Sequence, residues 1–138
     1  MRNKLIRAYL FLFITTGFIV KNSSCKEKNP YIQGKIMYEN FCENCHMEDG
    51  SGLVEVIPPL AGADYLKNNP NLLPCIIRNG MNGELQVNGK TYNTEMPGTP
   101  QLTEFEITNI INYINTAWGN NYPIVKHLDV RNSLENCK

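Results

Sequence analysis

The chain has 138 residues, of which 42% are apolar and 19% charged, a composition that suits one small globular domain and leaves no room for a second. Lysine plus arginine equals aspartate plus glutamate at 13 each, so the formal net charge is zero. This balance excludes an acidic tail and the basic excess expected of a protein that binds nucleic acid. Net charge alone does not identify a partner.

The first 25 residues have the pattern of an export signal. Arg2, Lys4 and Arg7 give a positive start, and residues 8–20 are apolar and uncharged. That run is shorter than the ~20 residues of a membrane-spanning helix and fits the ~7–15 residues of a signal-peptide core. The sequence therefore predicts that the remainder of the chain works outside the cytoplasm, in the periplasm or on the outer face of the membrane.

Cys25 follows Ser23 and Ser24, and two small residues before a cysteine resemble the lipobox at which bacterial lipoproteins are cleaved and lipidated. Asn22 departs from that pattern, because an aliphatic residue usually stands three positions before the cysteine. Three outcomes remain open: a lipid on Cys25 that holds the protein at a membrane, cleavage to a soluble form, or an uncleaved N-terminal anchor. Residues 26–30 are interpreted as a polar tether.

A first helix is predicted from Tyr31 into the motif CENCH at residues 42–46. The residues at spacing i, i+3, i+4 and i+7 that indicate it are Gly34, Met37, Tyr38 and Phe41. The globular domain is expected to span residues 31–120.

A stronger helix is predicted near the end of the domain. Thr103 and Glu106 form the Thr-x-x-Glu pattern of a capping box, and Gly119 is placed to end the helix as a C′ glycine. The apolar stripe between these signals contains Ile107, Ile110, Ile111, Ile114 and Trp118.

Between these two helices the chain is rich in proline and glycine, which predicts long loops. Asn88-Gly89 is a favoured type I′ pair and predicts a small β-hairpin. In the C-terminal extension, residues 121–138, Asp129 is predicted to cap a last helix. Its inward positions at i, i+4 and i+7 are Val130, Leu134 and Cys137.

The motif CENCH is compatible with a zinc site, a redox dithiol or covalently attached haem. A structural zinc site normally has four protein ligands, commonly from two separated pairs. Here one pair, Cys42 and Cys45, is accompanied only by the isolated Cys75 and Cys137. A redox dithiol normally follows a strand in a βαβ pattern, whereas the preceding residues are predicted to be helical.

Covalent haem accounts for all three motif residues. Cys42 and Cys45 lie one helical turn apart, so each can form a thioether to a different vinyl group. His46 follows directly and is placed to be an axial ligand of the iron. A domain so rich in loops is also short of apolar core, which a haem would supply. We therefore predict one haem c, attached through Cys42 and Cys45.

With these motifs the chain resembles class I c-type cytochromes over most of residues 33–120. The matching pieces are Gly34-x3-Tyr38-x3-CENCH, then IPPLAG at 57–62, EMPG at 95–98 and LTEFEITNIINYINTAWGN at 102–120. The resemblance implies an all-α fold of helices and long loops around one haem. It also implies that the first and last domain helices cross closely, with Gly34, Tyr38 and Tyr113 as packing residues. The runs PPLAG and LPCIIRNG look like those of monohaem cytochromes of exported bacterial lipoproteins.

The second axial ligand separates an electron carrier from an enzyme. Met37 belongs to the incoming helix and Met47 adjoins the proximal histidine, which leaves Met81 and Met96. In the resembling family the distal methionine stands in an M-P-x loop, which matches Met96, and Met81 is the alternative. A proline carbonyl after the motif orients the proximal imidazole in that family, which matches Pro58.

The remaining assignments concern the surroundings of the haem. The candidate donors to the propionates are Arg78, Tyr92 and Trp118, although Trp118 is favoured as a core residue and Arg78 equally suits the surface. His127 is expected to be an ordinary surface residue. Cys75 and Cys137 are predicted to form a disulfide that holds the C-terminal extension on the domain, with two free thiols as the alternative.

The predicted function is one-electron transfer by a protein that is not itself an enzyme. Its expected partners are redox proteins or membrane respiratory complexes, and we expect a monomer. Three alternatives remain: a haem peroxidase or gas sensor with a labile distal ligand, a cytochrome subunit of a larger oxidoreductase, or a zinc module.

Overall fold

The computed structural model describes residues 31–137. The predicted signal segment, Cys25 and the tether at 26–30 lie outside the described residues. The described chain forms six helices and two antiparallel two-stranded ladders, and their bounds are α1 (Ile32–Phe41), α2 (Glu43–His46), α3 (Asp64–Asn68), α4 (Leu73–Asn79), β1 (Gly80–Met81), β2 (Leu85–Val87), β3 (Lys90–Tyr92), β4 (Met96–Pro97), α5 (Glu104–Thr116) and α6 (His127–Glu135). The predicted helical fold with a small hairpin is confirmed. Within residues 31–137, the helices are all too short or too polar to cross a membrane.

The crossing of α1 and α5 is the most extensive contact between helices. Gly34 is buried there, and a Cβ at this position would collide with the carbonyl oxygen of Asn109 and lie 2.8 Å from the Cβ of Tyr113. The rings of Tyr38 and Tyr113 lie beside the crossing with centroids 5.4 Å apart. The predicted packing role of these residues is confirmed, because only glycine allows the two backbones to approach this closely.

The start of α5 is as predicted. The Thr103 hydroxyl accepts a hydrogen bond from the Glu106 N–H, and the Glu106 carboxylate accepts one from the Thr103 N–H. This capping box satisfies two of the N–H groups that a helix start leaves unpaired. The apolar stripe of α5 forms the centre of the core, where Ile107, Ile110 and Ile111 are at most 1% exposed.

The predicted end of α5 was wrong. The helix ends at Thr116 and Ala117 is extended, so Trp118 does not continue the apolar stripe and Gly119 is not the C′ residue. Trp118 has a φ of 53°, which turns its indole back against Tyr38, at a centroid distance of 5.1 Å. Trp118 is therefore half-buried and packs against the tyrosines beside the α1–α5 crossing.

The first helix is interrupted at the first residue of the motif. Cys42 has a φ of −122° and separates α1 from the single turn of α2. Gly34 and Tyr38 are buried as predicted, but Phe41 remains 40% exposed. The predicted helix therefore ends at Phe41, one residue before Cys42.

The last helix begins earlier than predicted. α6 starts at His127 with Lys126 at its N-cap, so Asp129 lies inside the first turn and is not the cap. The reason is in the preceding segment, which two asparagines of α5 hold in place. Asn112 donates to the Val125 carbonyl and accepts from the Val125 N–H, while Asn115 donates to the Pro123 carbonyl. These bonds fix where the chain enters α6.

A disulfide joins α6 to α4. Cys75 and Cys137 are bonded, with their Cα atoms 5.6 Å apart and a sequence separation of 62. Val130 of α6 is 1% exposed against α4 and α5. The predicted Cys75–Cys137 pairing is confirmed, and the C-terminal segment is packed onto the domain.

The four short strands form two antiparallel ladders. β2 and β3 form the predicted hairpin, in which Asn88 and Gly89 both have positive φ, at 50° and 74°, as a type I′ turn requires. β1 pairs with β4, which places Gly80 opposite Pro97 and Met81 opposite Met96. This second ladder was not predicted.

Candidate functional site

A cavity lies among α2, α4, α5 and the two ladders, and its lining is predominantly apolar. The lining includes Phe41, Cys42, Cys45, His46, Pro58, Leu60, Leu66, Ile76, Ile77, Met81, Tyr92, Met96, Thr99, Ile110, Ile111 and Ile114. All five predicted site residues therefore lie on one cavity, together with the alternative ligand Met81.

Both motif cysteines line this cavity, Cys45 on α2 and Cys42 directly before that helix. The N–H groups of Cys45 and His46 both donate to the Cys42 carbonyl, at 3.1 and 2.9 Å, so this single turn places the sulfurs one turn apart. Cys42 is partly buried and Cys45 exposed, and neither is in a disulfide. Burial raises the pKa of the Cys42 thiol to about 12, whereas a redox dithiol needs a lowered pKa.

His46 is buried, with 8% of its surface exposed. Its Nδ1 lies 3.3 Å from the Pro58 carbonyl oxygen, so Nδ1 carries the proton and donates it to that oxygen. Burial lowers the pKa of His46, which favours the neutral ring. A neutral imidazole with its proton on Nδ1 leaves the Nε2 lone pair to bind a metal.

The loop after the motif brings Pro58 to this imidazole. The Gly52 N–H donates to the His46 carbonyl at 3.1 Å. Gly52 has a φ of 66°, and a Cβ there would collide with the Ile57 carbonyl oxygen and lie 2.7 Å from that of Pro58. Gly52 thus shapes the loop that carries Pro58, and sequence reasoning missed it, although the run DGSG at 49–52 is a turn signal.

The methionine side of the cavity is built by the β1–β4 ladder. Met81 and Met96 are partners in its register and both are half-buried. Directly opposite residues of an antiparallel pair have neighbouring side chains. The cavity wall therefore contains both candidate methionines, side by side.

The candidate propionate donors separate into two groups. Tyr92 is buried and lines the cavity, whereas Trp118 and Arg78 are not among the lining residues. The indole N–H of Trp118 donates to the Glu48 carbonyl at 2.9 Å, so it is already bonded away from the site.

His127 is more involved in packing than predicted. Its Nε2 lies 3.2 Å from the Glu104 carboxylate and its ring stacks on Phe105 at a centroid distance of 3.8 Å. Arg131 donates to the same carboxylate at 2.9 Å. This exposed cluster joins α6 to the start of α5 and is not part of the cavity.

The donor set fits a haem. Covalent haem c attachment uses an apolar pocket for the porphyrin, two thiols one turn apart for its vinyl groups and an unprotonated imidazole nitrogen for the iron, and groups of all three kinds line the cavity. Across residues 31–137 there is no group of three or more His, Cys, Asp or Glu side chains arranged to hold a metal ion, whereas a structural zinc site uses four such ligands.

Comparison with known proteins agrees with this geometry. The family model for cytochrome c matches residues 32–118. Cytochrome c-552 of Thermus thermophilus is 37% identical over 82 residues, which cover 56% of this chain and 63% of that protein. The cytochrome c subunit of a quinone alcohol dehydrogenase from Gluconacetobacter polyoxogenes is 35% identical over 95 residues, 67% of this chain and 20% of the subunit.

The corresponding subunit from Gluconobacter oxydans (strain 621H) is 33% identical over 93 residues, 65% of this chain and 19% of the subunit. The chain thus spans less than two thirds of the length of these curated relatives. The match to the family model nevertheless covers more than half of the chain. The protein therefore belongs to the cytochrome c family, as a class I c-type cytochrome that binds haem c covalently.

Proposed function

We propose that the protein is a single-haem electron carrier in which Cys42 and Cys45 form the thioethers and His46 and Met96 are the axial ligands. The observation that carries the proposal is that a neutral, oriented imidazole and a thioether side chain line the same apolar cavity. Bound haem supplies reversible one-electron chemistry at its iron.

The chain contributes ligation and burial. The Pro58 carbonyl holds the His46 ring in one orientation and one tautomer. A thioether ligand stabilises the reduced state relative to a second imidazole, which raises the potential. With His46 and Met96 both bound, the iron would have no coordination position for a substrate, so the chain would need no general acid, base or nucleophile.

Met96 is preferred to Met81 because of the segments that carry them. Met96 is followed by Pro97, and Thr99 bonds back to α4 through the Ile77 carbonyl. Met81 is followed by the exposed Asn82 and by Gly83, which has a φ of 95° and open space around it. A ligand that must stay bound in both oxidation states is better placed on the more restrained segment.

The exposed Cys45 and the 40% exposed Phe41 lie at the rim of the cavity. We infer that electrons enter and leave at this edge, where the thioether to Cys45 would come to the surface. The partners proposed are exported or membrane-bound redox proteins, and export rests on the signal-like first 25 residues. A monomeric state is part of the same proposal, which holds equally for a lipid-anchored and for a soluble exported form.

A role as the cytochrome subunit of a larger oxidoreductase is a second candidate. It is supported by similarity to relatives named as cytochrome c subunits of quinone alcohol dehydrogenases. Co-purification of the tagged chain with a dehydrogenase after mild detergent extraction would favour this function, whereas recovery of the chain alone favours the free carrier.

The axial ligation is tested with Met96→Ala and the matched control Met81→Ala, both made as exported holoproteins. We expect Met96→Ala to lower the midpoint potential and to let the ferrous form bind carbon monoxide rapidly at neutral pH. Met81→Ala should behave like the wild type in both assays. The reverse outcome would assign the ligand to Met81, and rapid binding by the wild type would favour a gas sensor or peroxidase.

A further inference from the structure

Thr99 makes an unusual double contact with the end of α4. Its backbone N–H donates to the Ile77 carbonyl at 2.9 Å, and its hydroxyl donates to the same carbonyl oxygen at 2.7 Å. The last carbonyls of a helix have no partner within the helix. Thr99 satisfies one of them and uses both of its donors to do so.

The backbones on either side of this contact touch. A Cβ on Gly98 would lie 2.5 Å from the Asn79 carbonyl carbon and 2.6 Å from the Arg78 carbonyl oxygen. A Cβ on Gly80 would collide with the Met96 carbonyl oxygen and lie 2.7 Å from the Gly98 nitrogen. The segment 96–99 therefore lies directly on the end of α4 and on β1, with glycines where side chains would separate them.

The position of Met96 is thus set from both ends of a four-residue segment. The register with Met81 fixes one end, and the two hydrogen bonds of Thr99 to Ile77 fix the other. Ile77 and Thr99 themselves line the cavity. The distance between the Met96 Cα and the α4 wall is consequently determined by this anchor.

We propose that the Thr99 hydroxyl is a positioning group for the axial methionine, holding the Met96 thioether in place against competing ligands of the iron. This inference rests on the proposed ligation by Met96. Removal of the hydroxyl leaves the Thr99 N–H bond to Ile77 intact, so the segment stays folded but is held less tightly. A less restrained thioether is displaced more easily by an added ligand.

The test uses the ferric holoprotein with Thr99→Val, which keeps the side-chain shape and removes the hydroxyl, and Thr99→Ser, which keeps the hydroxyl. The apparent affinity for imidazole is measured by absorbance, together with the midpoint potential. We expect Thr99→Val to bind imidazole roughly threefold to tenfold more tightly than the wild type, the factor corresponding to one ordinary hydrogen bond. Thr99→Ser should stay within about twofold of the wild type, because it restores that bond.

A purely structural role predicts a different result. If Thr99→Val lowers the unfolding temperature while its imidazole affinity and potential match the wild type, the proposal is overturned. Thr99→Ala serves as a second variant should the valine protein fail to incorporate haem, and the same increase in affinity is expected of it. An alanine protein with wild-type affinity would equally overturn the proposal.

Met96→Ala in the same assay separates this proposal from the ligation on which it rests. If Met96→Ala binds imidazole much more tightly and Thr99→Val does not, the ligand assignment stands and the positioning role fails. If Met96→Ala also matches the wild type, the ligand assignment itself is wrong.

Discussion

The motif side and the methionine side of the cavity hold their proposed ligands in different ways. His46 lies one helical turn after Cys42, and its hydrogen-bonding partner Pro58 is only twelve residues further along the chain. Met96 comes 50 residues after His46 (96 minus 46) and is held by contacts with residues 77–81. One ligand is positioned by local chain geometry, the other by tertiary contacts.

This difference implies that the two proposed ligands dissociate from the iron in a fixed order. The motif side is held by a short turn and, with haem attached, by two covalent bonds. The methionine side depends on the packing of α4, the β1–β4 ladder and the Thr99 anchor. Any change that loosens α4 or the β1–β4 ladder should therefore release Met96 before it affects His46, because local openings involve the least restrained segments first.

The largest expected effect comes from breaking the disulfide that braces α4. Replacing Cys75 and Cys137 together by serine should lower the free energy of unfolding by about 4 kcal/mol, the loop-entropy value for a closure of this length. Urea denaturation of the holoprotein measures this loss.

The same variant should bind imidazole more tightly than the wild type, because α4 carries the wall that positions Met96. An unchanged urea midpoint, with the wild-type disulfide verified by mass, would contradict the bracing role.

Gly34→Ala is expected to disturb the motif side. In an open helix this change would stabilise by about 1 kcal/mol, but here the added Cβ meets the Asn109 carbonyl oxygen. We expect a loss of about 1–3 kcal/mol in the free energy of unfolding, as for overpacking elsewhere. The exposed Gln33 on the same helix provides the control, and Gln33→Ala should lie within about 0.5 kcal/mol of the wild type. A stabilising Gly34→Ala would show that the crossing can separate freely.

Gly98→Ala is the matched change on the methionine side. Its Cβ would meet the backbone of Asn79 and Arg78, and Gly98 is only half-buried, so a smaller cost of about 1–2 kcal/mol is expected. The informative readout is imidazole binding by the ferric protein. Gly98→Ala should increase the affinity and Gly34→Ala should not. Equal affinities in the two variants would remove the proposed distinction between the two sides.

The smallest effect concerns the exposed cluster that joins α6 to α5. The hydrogen bond from Arg131 lowers the pKa of Glu104 below its ordinary value. A carboxyl group whose pKa is lower in the folded state stabilises the fold at any pH above its unfolded-state pKa of about 4.3. This stabilisation is lost as the pH falls through the lower folded-state pKa. The stability advantage of the wild type over Glu104→Gln should therefore be present at neutral pH and disappear in acid. Urea midpoints across this range measure it, and an advantage that persists at the acid end would be inconsistent with the ion pair.

The features that could be predicted from the sequence follow local rules. The spacing in CENCH, the capping box of Thr103 and Glu106, and the Asn88-Gly89 turn each depend on residues within a few positions of one another. Gly34, Tyr38 and Tyr113 were placed correctly because the resemblance to a family supplied the long-range contact.

The features that were missed depend on distant partners. The entry into α6 is set by Asn112 and Asn115 of α5, which bond to backbone atoms eight to thirteen residues away, so Asp129 was wrongly chosen as the cap. Trp118 left the predicted stripe because its left-handed backbone turns it toward Glu48, 70 positions earlier. The hydrogen bonds between Thr99 and Ile77 also join residues that are distant in sequence, and no local sequence pattern predicts them.

Iron-edge X-ray absorption of the wild-type holoprotein tests the proposed His46 and Met96 ligation most directly, because it counts the sulfur atoms bound to the metal. We predict one sulfur ligand beside the nitrogen ligands in both oxidation states, lost in Met96→Ala and retained in Met81→Ala. A wild-type spectrum without iron-bound sulfur, or a sulfur signal that survives in Met96→Ala, would contradict it.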